Sequence, residues 1–216
     1  MMTLERYRTK REVAADLLRE AILRGELAPG SRLVLEELSH RYAVSMTPIR
    51  EAFAILEGEG LVTQLPHRGA IVTTPDRDEL LELYAIRSAI EALAAHHGAA
   101  RLSDANLAEM AALLAQLEAF TGGWDAFLEI DKQFHRVIYR AAGSQRWLDT
   151  IETLWQRSRR YMLASASASG AIESLHADHR AILAACRAHD GVAAGAAVRA
   201  HLERAQSRLL EQWEAT

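Results

Sequence analysis

The 216-residue sequence lacks most features that mark exported or membrane-spanning proteins. Its single cysteine, Cys186, excludes an internal disulfide. The apolar pattern with Ile182 and Leu183 favours a buried structural thiol over a reactive one. No uncharged apolar run reaches the roughly 18 residues of a transmembrane helix, and the first residues do not resemble a signal peptide. We therefore expect a cytoplasmic protein with no membrane association.

An excess of positive charge is also absent. The chain carries 25 basic and 29 acidic side chains, a net charge of −4, and residues 1–75 carry ten of each sign. A DNA-binding surface, if there is one, must therefore focus its arginines on one face. With 50% hydrophobic and 25% charged residues, the composition is that of an ordinary globular protein whose length allows two domains.

A helix-turn-helix is predicted in the first 75 residues. Leu33, Leu35, Leu38 and Tyr42 form an apolar stripe at helical spacing, and the short connection that follows leaves room only for a tight turn. Ser45 is expected to begin the second helix, because its hydroxyl can accept a hydrogen bond from a first-turn amide.

A two-stranded wing is predicted directly after these helices. Gly58 and Gly60 end the second helix, and two β-prone runs, 61–65 and 70–74, surround a turn at 66–69. Pro75 then disfavours helix at the preceding residue, and beyond it the apolar spacing becomes helical. We accordingly place a domain boundary between residues 75 and 76.

Residues from about 13 to 74 resemble the winged-helix domain of GntR-family transcription regulators. The resemblance rests on four segments in the same order, 22–30, 44–52, 56–62 and 68–72. It implies major-groove contacts by the second helix, support from the phosphate side, and minor-groove contacts by the wing. The residues concerned are Arg32, Ser45, Thr47, Arg50, His67, Arg68 and Gly69. Met46 stands where many members carry a basic residue, so operator affinity is expected to depend more on Arg50. The alternative is that Arg50 is only a solvated helix arginine.

Residues 76–216 are predicted to form an all-helical domain, because their apolar positions recur at helical spacing. Breaks at glycine and serine divide it into six helices near 77–99, 104–121, 123–142, 145–164, 171–188 and 191–213, with a mobile loop over 165–170 or a frayed helix end there. Ser103 and Ser144 are candidate caps. The aromatic side chains at helical spacing are expected in the core or at a dimer interface: Trp124, Trp147, Trp155, Tyr161 and Trp213.

A metal site is predicted in this helical domain. Asp131 and His135 lie four residues apart on one helix, so both project from the same face. His179 and His201 lie on or beside apolar stripes of the last two helices and could converge on the first pair. A single histidine on a helix is more often an ordinary hydrogen-bonded or exposed residue than a metal ligand. The adjacent pair His96-His97 is not expected to chelate one ion, since neighbouring helical residues point about 100° apart.

The helical part also resembles the FCD ligand-binding domain that follows the winged helix in FadR-type members of the GntR family. The resemblance covers residues 76–216 and implies that Asp131, His135, His179 and His201 coordinate a divalent cation such as zinc, nickel or manganese. Arg87 is the leading candidate for a carboxylate clamp, because a guanidinium matches a carboxylate in geometry. An ion pair between Arg87 and Glu91, one turn away, is an equal alternative.

Together these features predict a bacterial transcription regulator, as a homodimer on a pseudo-palindromic operator. We expect a repressor, not an enzyme, whose operator affinity is controlled by a small organic acid bound at the metal. Two alternatives stay open at this point: a metal-dependent enzyme built on the helical bundle, and a regulator whose metal is purely structural.

Overall fold

The computed structural model shows a mainly helical chain with one small sheet. It describes residues 9–66, 68–164 and 171–214, with side chains described for 9–66, 68–163 and 175–211. The chain divides after Asp76 into two compact units, each with its own apolar core. The predicted loop at 165–170 lies outside the described residues, as does the side chain of Trp213.

The first unit is built on three helices, α1 (Lys10–Leu23), α2 (Leu35–Tyr42) and α3 (Met46–Gly58). Thr9 begins α1 through a capping box, since its hydroxyl accepts from the amide of Glu12 and the Glu12 carboxylate accepts from the amide of Thr9. The buried side chains Leu18, Phe53 and Leu56 join α1 and α3 in one core. The predicted winged helix-turn-helix is confirmed.

The wing contains one strand more than the sequence predicted. Strands β2 (Val62–Leu65) and β3 (Gly69–Val72) form the expected hairpin, and β1 (Arg32–Leu33) pairs antiparallel with the other edge of β3. The assignment of Leu33 to the first helix of the pair was therefore wrong. Leu33 lies opposite Ala70 in the sheet and is buried, so its apolar side chain serves the sheet's inner face.

The turn between α2 and α3 places Ala43 in the left-handed region, at φ 54°. This conformation reverses the chain within the short connection that the sequence predicted. The expected side-chain cap from Ser45 was wrong: Ser45 is the N-cap residue, with extended backbone, but its hydroxyl makes no cap hydrogen bond. Helix α3 is instead fixed by its buried face, which includes Pro48 in the first turn and Phe53.

The second unit contains the six predicted helices within the described residues. They are α4 (Arg77–Ala99), α5 (Asp104–Glu118), α6 (Trp124–Ala141), α7 (Gln145–Ala164), α8 (Ala171–Arg187) and α9 (Gly191–Glu214). Ser103 caps α5 through a capping box with Asn106, and the Ser144 hydroxyl accepts from the amide of Trp147 at the start of α7. None of the described helices combines the length and apolar character that a membrane crossing requires.

Helices α4 and α9 approach each other closely at two glycines of α9, where no side chain separates the two backbones. A Cβ atom at Gly191 would lie 2.3 Å from the backbone oxygen of His96, and one at Gly195 would lie 2.9 Å from that of Ala92. This contact fixes the start of α9 against α4. Further along, α9 brings His201 into the interior of the bundle, where α6 and α8 supply the other candidate metal ligands.

Candidate functional site

The exposed face of α3 carries the predicted DNA-reading residues. Pro48, Ile49, Ala52, Phe53 and Leu56 are buried, which turns Thr47 and Arg50 outward. Thr47 and Arg50 are three residues apart and therefore share one side of the helix. Ser45 and Met46 are also exposed, at the N-terminal end of the same helix. This end of a helix suits phosphate, because free amides and the helix dipole both favour an anion there.

Within the wing, an arginine on β1 is hydrogen-bonded to the turn between β2 and β3. The guanidinium of Arg32 donates from Nε and Nη2 to the carbonyl oxygen of Arg68, at 3.2 and 3.1 Å, and both side chains are exposed. Gly69 has φ +88°, and a Cβ atom there would lie 2.1 Å from the carbonyl oxygen of Leu33. Only glycine fits this strand pairing, so Gly69 can offer DNA its backbone alone. His67 lies outside the described residues.

The candidate metal ligands come from three helices and meet in the interior of the second unit. Asp131 and His135 lie on α6, His179 on α8 and His201 on α9, and all four are buried. Each offers one ligand atom, and these atoms all lie within 4.8 Å of one another. In the part of the chain that the structure describes, this is the one group of three or more such residues placed to hold an ion.

The distances within this cluster fit a shared cation. His179 Nε2 lies 2.8 Å from Asp131 Oδ1 and 3.3 Å from His135 Nε2. Two nitrogens that each lie about 2.0–2.1 Å from one ion with tetrahedral geometry are roughly 3.3–3.4 Å apart. Two imidazole nitrogens facing each other at this separation must otherwise share a proton as donor and acceptor. The mixed nitrogen and oxygen donors suit zinc, nickel or manganese.

The protonation states of the cluster also suit a metal. Burial lowers the pKa of His135 well below its usual value and lowers that of His201, although the hydrogen bond to Asp178 acts in the opposite direction on His201. Burial alone would raise the pKa of Asp131, but the hydrogen bond from His179 and the neighbouring imidazoles lower it. At neutral pH the site therefore offers the neutral imidazoles of His135 and His201 together with the Asp131 carboxylate, the forms that bind cations.

Arg87 lies on α4 and forms the ion pair with Glu91 that the sequence left open. Its Nε donates to Glu91 Oε1 at 2.7 Å, and both side chains are almost fully buried. The guanidinium also lies over the rings of Tyr84 and Trp155, at 4.8 and 4.9 Å from their centroids. Its Nη1 is buried with no hydrogen-bond partner among the described residues. The ion pair thus leaves Nη1 of the guanidinium without a hydrogen bond to the described residues.

Three polar residues beside the cluster were not given site roles by the sequence. Asp178 Oδ2 lies 3.4 Å from His201 Nδ1, and Tyr139 Oη lies 3.5 Å from His135 Nδ1 and donates to Glu91 Oε2 at 2.8 Å. Burial, with the charge of Glu91, raises the pKa of Tyr139 well above its usual value, so its hydroxyl keeps the proton. The available signal was spacing, since Tyr139 and His135 are four residues apart on α6.

The other histidines and aromatic side chains considered from the sequence are not among the four candidate ligands. His96 and His97 are exposed on α4 and lie outside the group of candidate ligands. Trp155 and Tyr161 are buried in the core of the second unit, and Trp124 and Trp147 pack against it. Trp155 has a further role that the sequence did not indicate, because its Nε1 donates to Glu91 Oε2 at 3.3 Å.

Family models match both units. The model for bacterial regulatory proteins of the gntR family matches residues 10–72, and the model for the FCD domain matches residues 82–204. Two relatives from Escherichia coli (strain K12) are similar over most of their length. The HTH-type transcriptional repressor GlaR is 31% identical over 195 residues, 86% of this chain and 89% of that protein. The HTH-type transcriptional repressor RspR is 31% identical over 189 residues, 87% and 83% of the two chains.

Solved structures of the same architecture cover nearly the whole chain. The Escherichia coli protein McbR/YncC superposes with a TM-score of 0.74 over 95% of this chain and 99% of its own, at 23% identity, which shows the shared fold. A transcriptional regulator GntR from Rhodococcus sp. RHA1 superposes with a TM-score of 0.71 over 94% of this chain and 98% of its own, at 26% identity.

Proposed function

The chain belongs to the GntR family of bacterial regulatory proteins and carries an FCD domain, and from this premise we propose that it is a repressor controlled by a small carboxylate. Members of this family are transcriptional regulators and not enzymes. The proposed metal-bound state places Asp131, His135, His179 and His201 around one divalent cation. The single observation that carries the proposal is the convergence of these four buried ligands.

On the DNA side, we assign base and phosphate contacts to the exposed residues of α3 and the wing. Arg50 is the proposed base-reading residue, since a guanidinium can bond guanine O6 and N7 together. Thr47 and the start of α3 at Ser45 would contact phosphate or base edges, while Arg68 and the backbone of Gly69 would reach the minor groove. Arg32 would hold the wing in place through its two hydrogen bonds to the Arg68 carbonyl. His67 keeps the wing role that the sequence predicted.

On the effector side, a bound divalent cation would supply a Lewis-acid position for a carboxylate oxygen. The chain's own contribution is Arg87, whose buried Nη1 has no partner among the described residues. A charged donor buried without a partner is costly, so a ligand carboxylate at this position would be stabilised by about 1.5–3 kcal/mol. Glu91 holds the other side of the guanidinium and limits its rotation.

Dimer formation is part of the proposal, because two-fold operators are read by two copies and one small domain reads too few bases. The surface that we assign to it is the apolar face of α4 and α9. Leu93 and Val192 are 44% and 74% exposed and line a groove of about 510 Å³. Arg199 and Glu203 line the same groove, so it carries both charge signs and the two residues can pair with their counterparts across a two-fold axis.

Thermodynamic linkage relates carboxylate binding in the second unit to operator binding by the first. A carboxylate can change operator affinity only by its difference in affinity for the DNA-competent and incompetent states, typically about 1–3 kcal/mol. A purely structural metal would stabilise the fold without this response to acids, so an acid titration of operator binding separates the two.

The metal assignment is tested by metal content in variants. Replacement His135→Ala or His179→Ala should lower the zinc bound per chain, measured by elemental analysis after dialysis against a zinc buffer. His97→Ala is the matched control, because His97 is an exposed histidine outside the cluster. Full zinc occupancy in both cluster variants would remove these residues from the proposed site.

A further inference from the structure

Glu91 is a buried carboxylate with donors from three helices. It accepts from Arg87 Nε on α4 at 2.7 Å, from Tyr139 Oη on α6 at 2.8 Å, and from Trp155 Nε1 on α7 at 3.3 Å. Only 1% of the Glu91 side chain is exposed. A buried carboxylate with this many donors is held in one orientation, because any rotation would leave buried donors and a buried charge without hydrogen bonds.

The phenol of Tyr139 transmits this orientation to a candidate metal ligand. The hydroxyl of a tyrosine has one hydrogen, and Tyr139 donates it to Glu91 Oε2. The lone pairs of the same oxygen face His135 Nδ1 at 3.5 Å, and the two rings are nearly parallel, with an interplanar angle of 19°. Because Tyr139 Oη can only accept in this contact, the contact is favourable when the hydrogen of His135 lies on Nδ1.

The second nitrogen of His135 faces the other ligands. His135 Nε2 lies 3.3 Å from His179 Nε2 and 3.9 Å from Asp131 Oδ1. A hydrogen on Nδ1 leaves Nε2 with a lone pair, which is the state required of a metal ligand. The tautomer of His135 thus decides whether Nε2 carries a hydrogen or has the free lone pair that a metal ligand needs.

We propose that Tyr139, held by Glu91, is a positioning residue that fixes His135 as the Nδ1–H tautomer and so presents Nε2 to the metal. This inference rests on the proposed function, since it assigns how one ligand of that site is prepared. It also joins the two parts of the effector site, because the carboxylate that holds Tyr139 also holds Arg87.

The test compares zinc affinity in two phenol deletions. Tyr139→Phe removes only the hydroxyl and should weaken zinc binding by roughly 10- to 100-fold, the usual cost of losing an outer-shell partner. Tyr161→Phe is the matched control, because Tyr161 is also buried and its hydroxyl bonds a carboxylate, Glu79, at 3.0 Å. Zinc affinity is measured by competition with a chromophoric chelator, and the control should bind zinc like the wild-type protein.

A second measurement reads the tautomer directly. In the metal-free wild-type protein, the ¹⁵N NMR spectrum of the histidine rings should show His135 protonated at Nδ1, and in Tyr139→Phe this preference should be lost. Equal zinc affinity of Tyr139→Phe and the wild type, or an Nε2–H ring in the wild type, would overturn the inference. Failure of the wild type to bind zinc would overturn the proposed function instead, and the metal-free spectrum would still decide the tautomer.

Discussion

Asp178 and His201 are hydrogen-bonded across the interface of α8 and α9, with 3.4 Å between Oδ2 and Nδ1. The same carboxylate accepts from Arg204 at 3.0 and 2.5 Å. Burial alone would raise the pKa of Asp178, but its bonds to His201 and Arg204 lower the pKa to about 2. Asp178 is therefore charged at neutral pH and leaves Nε2 of His201 as the ring nitrogen available to a metal.

The first prediction concerns this carboxylate. Asp178→Asn should weaken zinc binding by roughly 10- to 100-fold, because an uncharged amide no longer supports the imidazole from its Nδ1 side. The measurement is the same chelator competition as above. Asp149→Asn, an exposed carboxylate on α7, should leave zinc affinity unchanged. Equal affinities in the two variants would show that Asp178 does not support the site.

Removal of the proposed base-reading residue should weaken DNA binding without affecting the fold. Arg50→Ala should cost roughly 1–3 kcal/mol in operator affinity, since the side chain is exposed and contributes nothing to the core. Affinity is measured by gel shift on an operator selected from random DNA with the wild-type protein. Arg187→Ala, an exposed arginine on α8, is the control and should bind like the wild type. Unchanged affinity of Arg50→Ala would contradict its assigned role.

Cys186 should be unreactive in the folded protein. Burial raises the pKa of its thiol to about 11, so only about 0.1% is thiolate at pH 8. The pKa of the thiol is higher in the folded than in the unfolded protein. The free energy of unfolding that the buried, protonated thiol contributes is therefore fully present below about pH 9 and is lost as the pH rises through 11. A thiol reagent at pH 8 should modify Cys186 only with unfolding, and rapid modification of the native protein would contradict this burial.

A charge on the exposed face of α4 should separate the proposed dimer. Leu93→Arg places a charge from each copy on the assigned surface, so light scattering after size exclusion should report a monomer of about half the wild-type mass. Val13→Arg is the matched control, because Val13 is an exposed apolar residue, 42% exposed, on α1 of the other unit. A Leu93→Arg protein with the wild-type mass would exclude this face as the interface.

The helices and the hairpin could be predicted because their signals are local. Gly60, with φ +71°, follows the end of α3, and the six helices of the second unit follow from apolar spacing and breaks. Strand β1 could not be predicted from these signals, since two residues carry no periodicity and Arg32 pairs with Ile71 far along the chain. The missing cap at Ser45 has a similar cause, because a side-chain hydrogen bond depends on a rotamer that sequence does not specify.

The candidate metal ligands could be predicted from the sequence, whereas the residues that contact them could not. Asp131 and His135 are one turn apart, His179 and His201 lie on or beside apolar stripes of later helices, and the family resemblance implied that the four bind one cation. The contact between Tyr139 and Glu91 joins residues 48 positions apart, and no local rule pairs them. Asp178 is next to His179, yet neighbouring helical residues diverge by about 100°, so its contact with His201 depends on the packing of α8 and α9.

The most direct test of the central claim is the melting temperature of the full chain with zinc loaded and after chelation, each with and without a panel of small carboxylic acids. Ligands that bind the native state raise its melting temperature. We expect zinc to raise the melting temperature, and at least one acid to raise it further only when zinc is bound. A melting temperature that zinc does not change, or an acid that stabilises the chelated protein equally, would contradict the account.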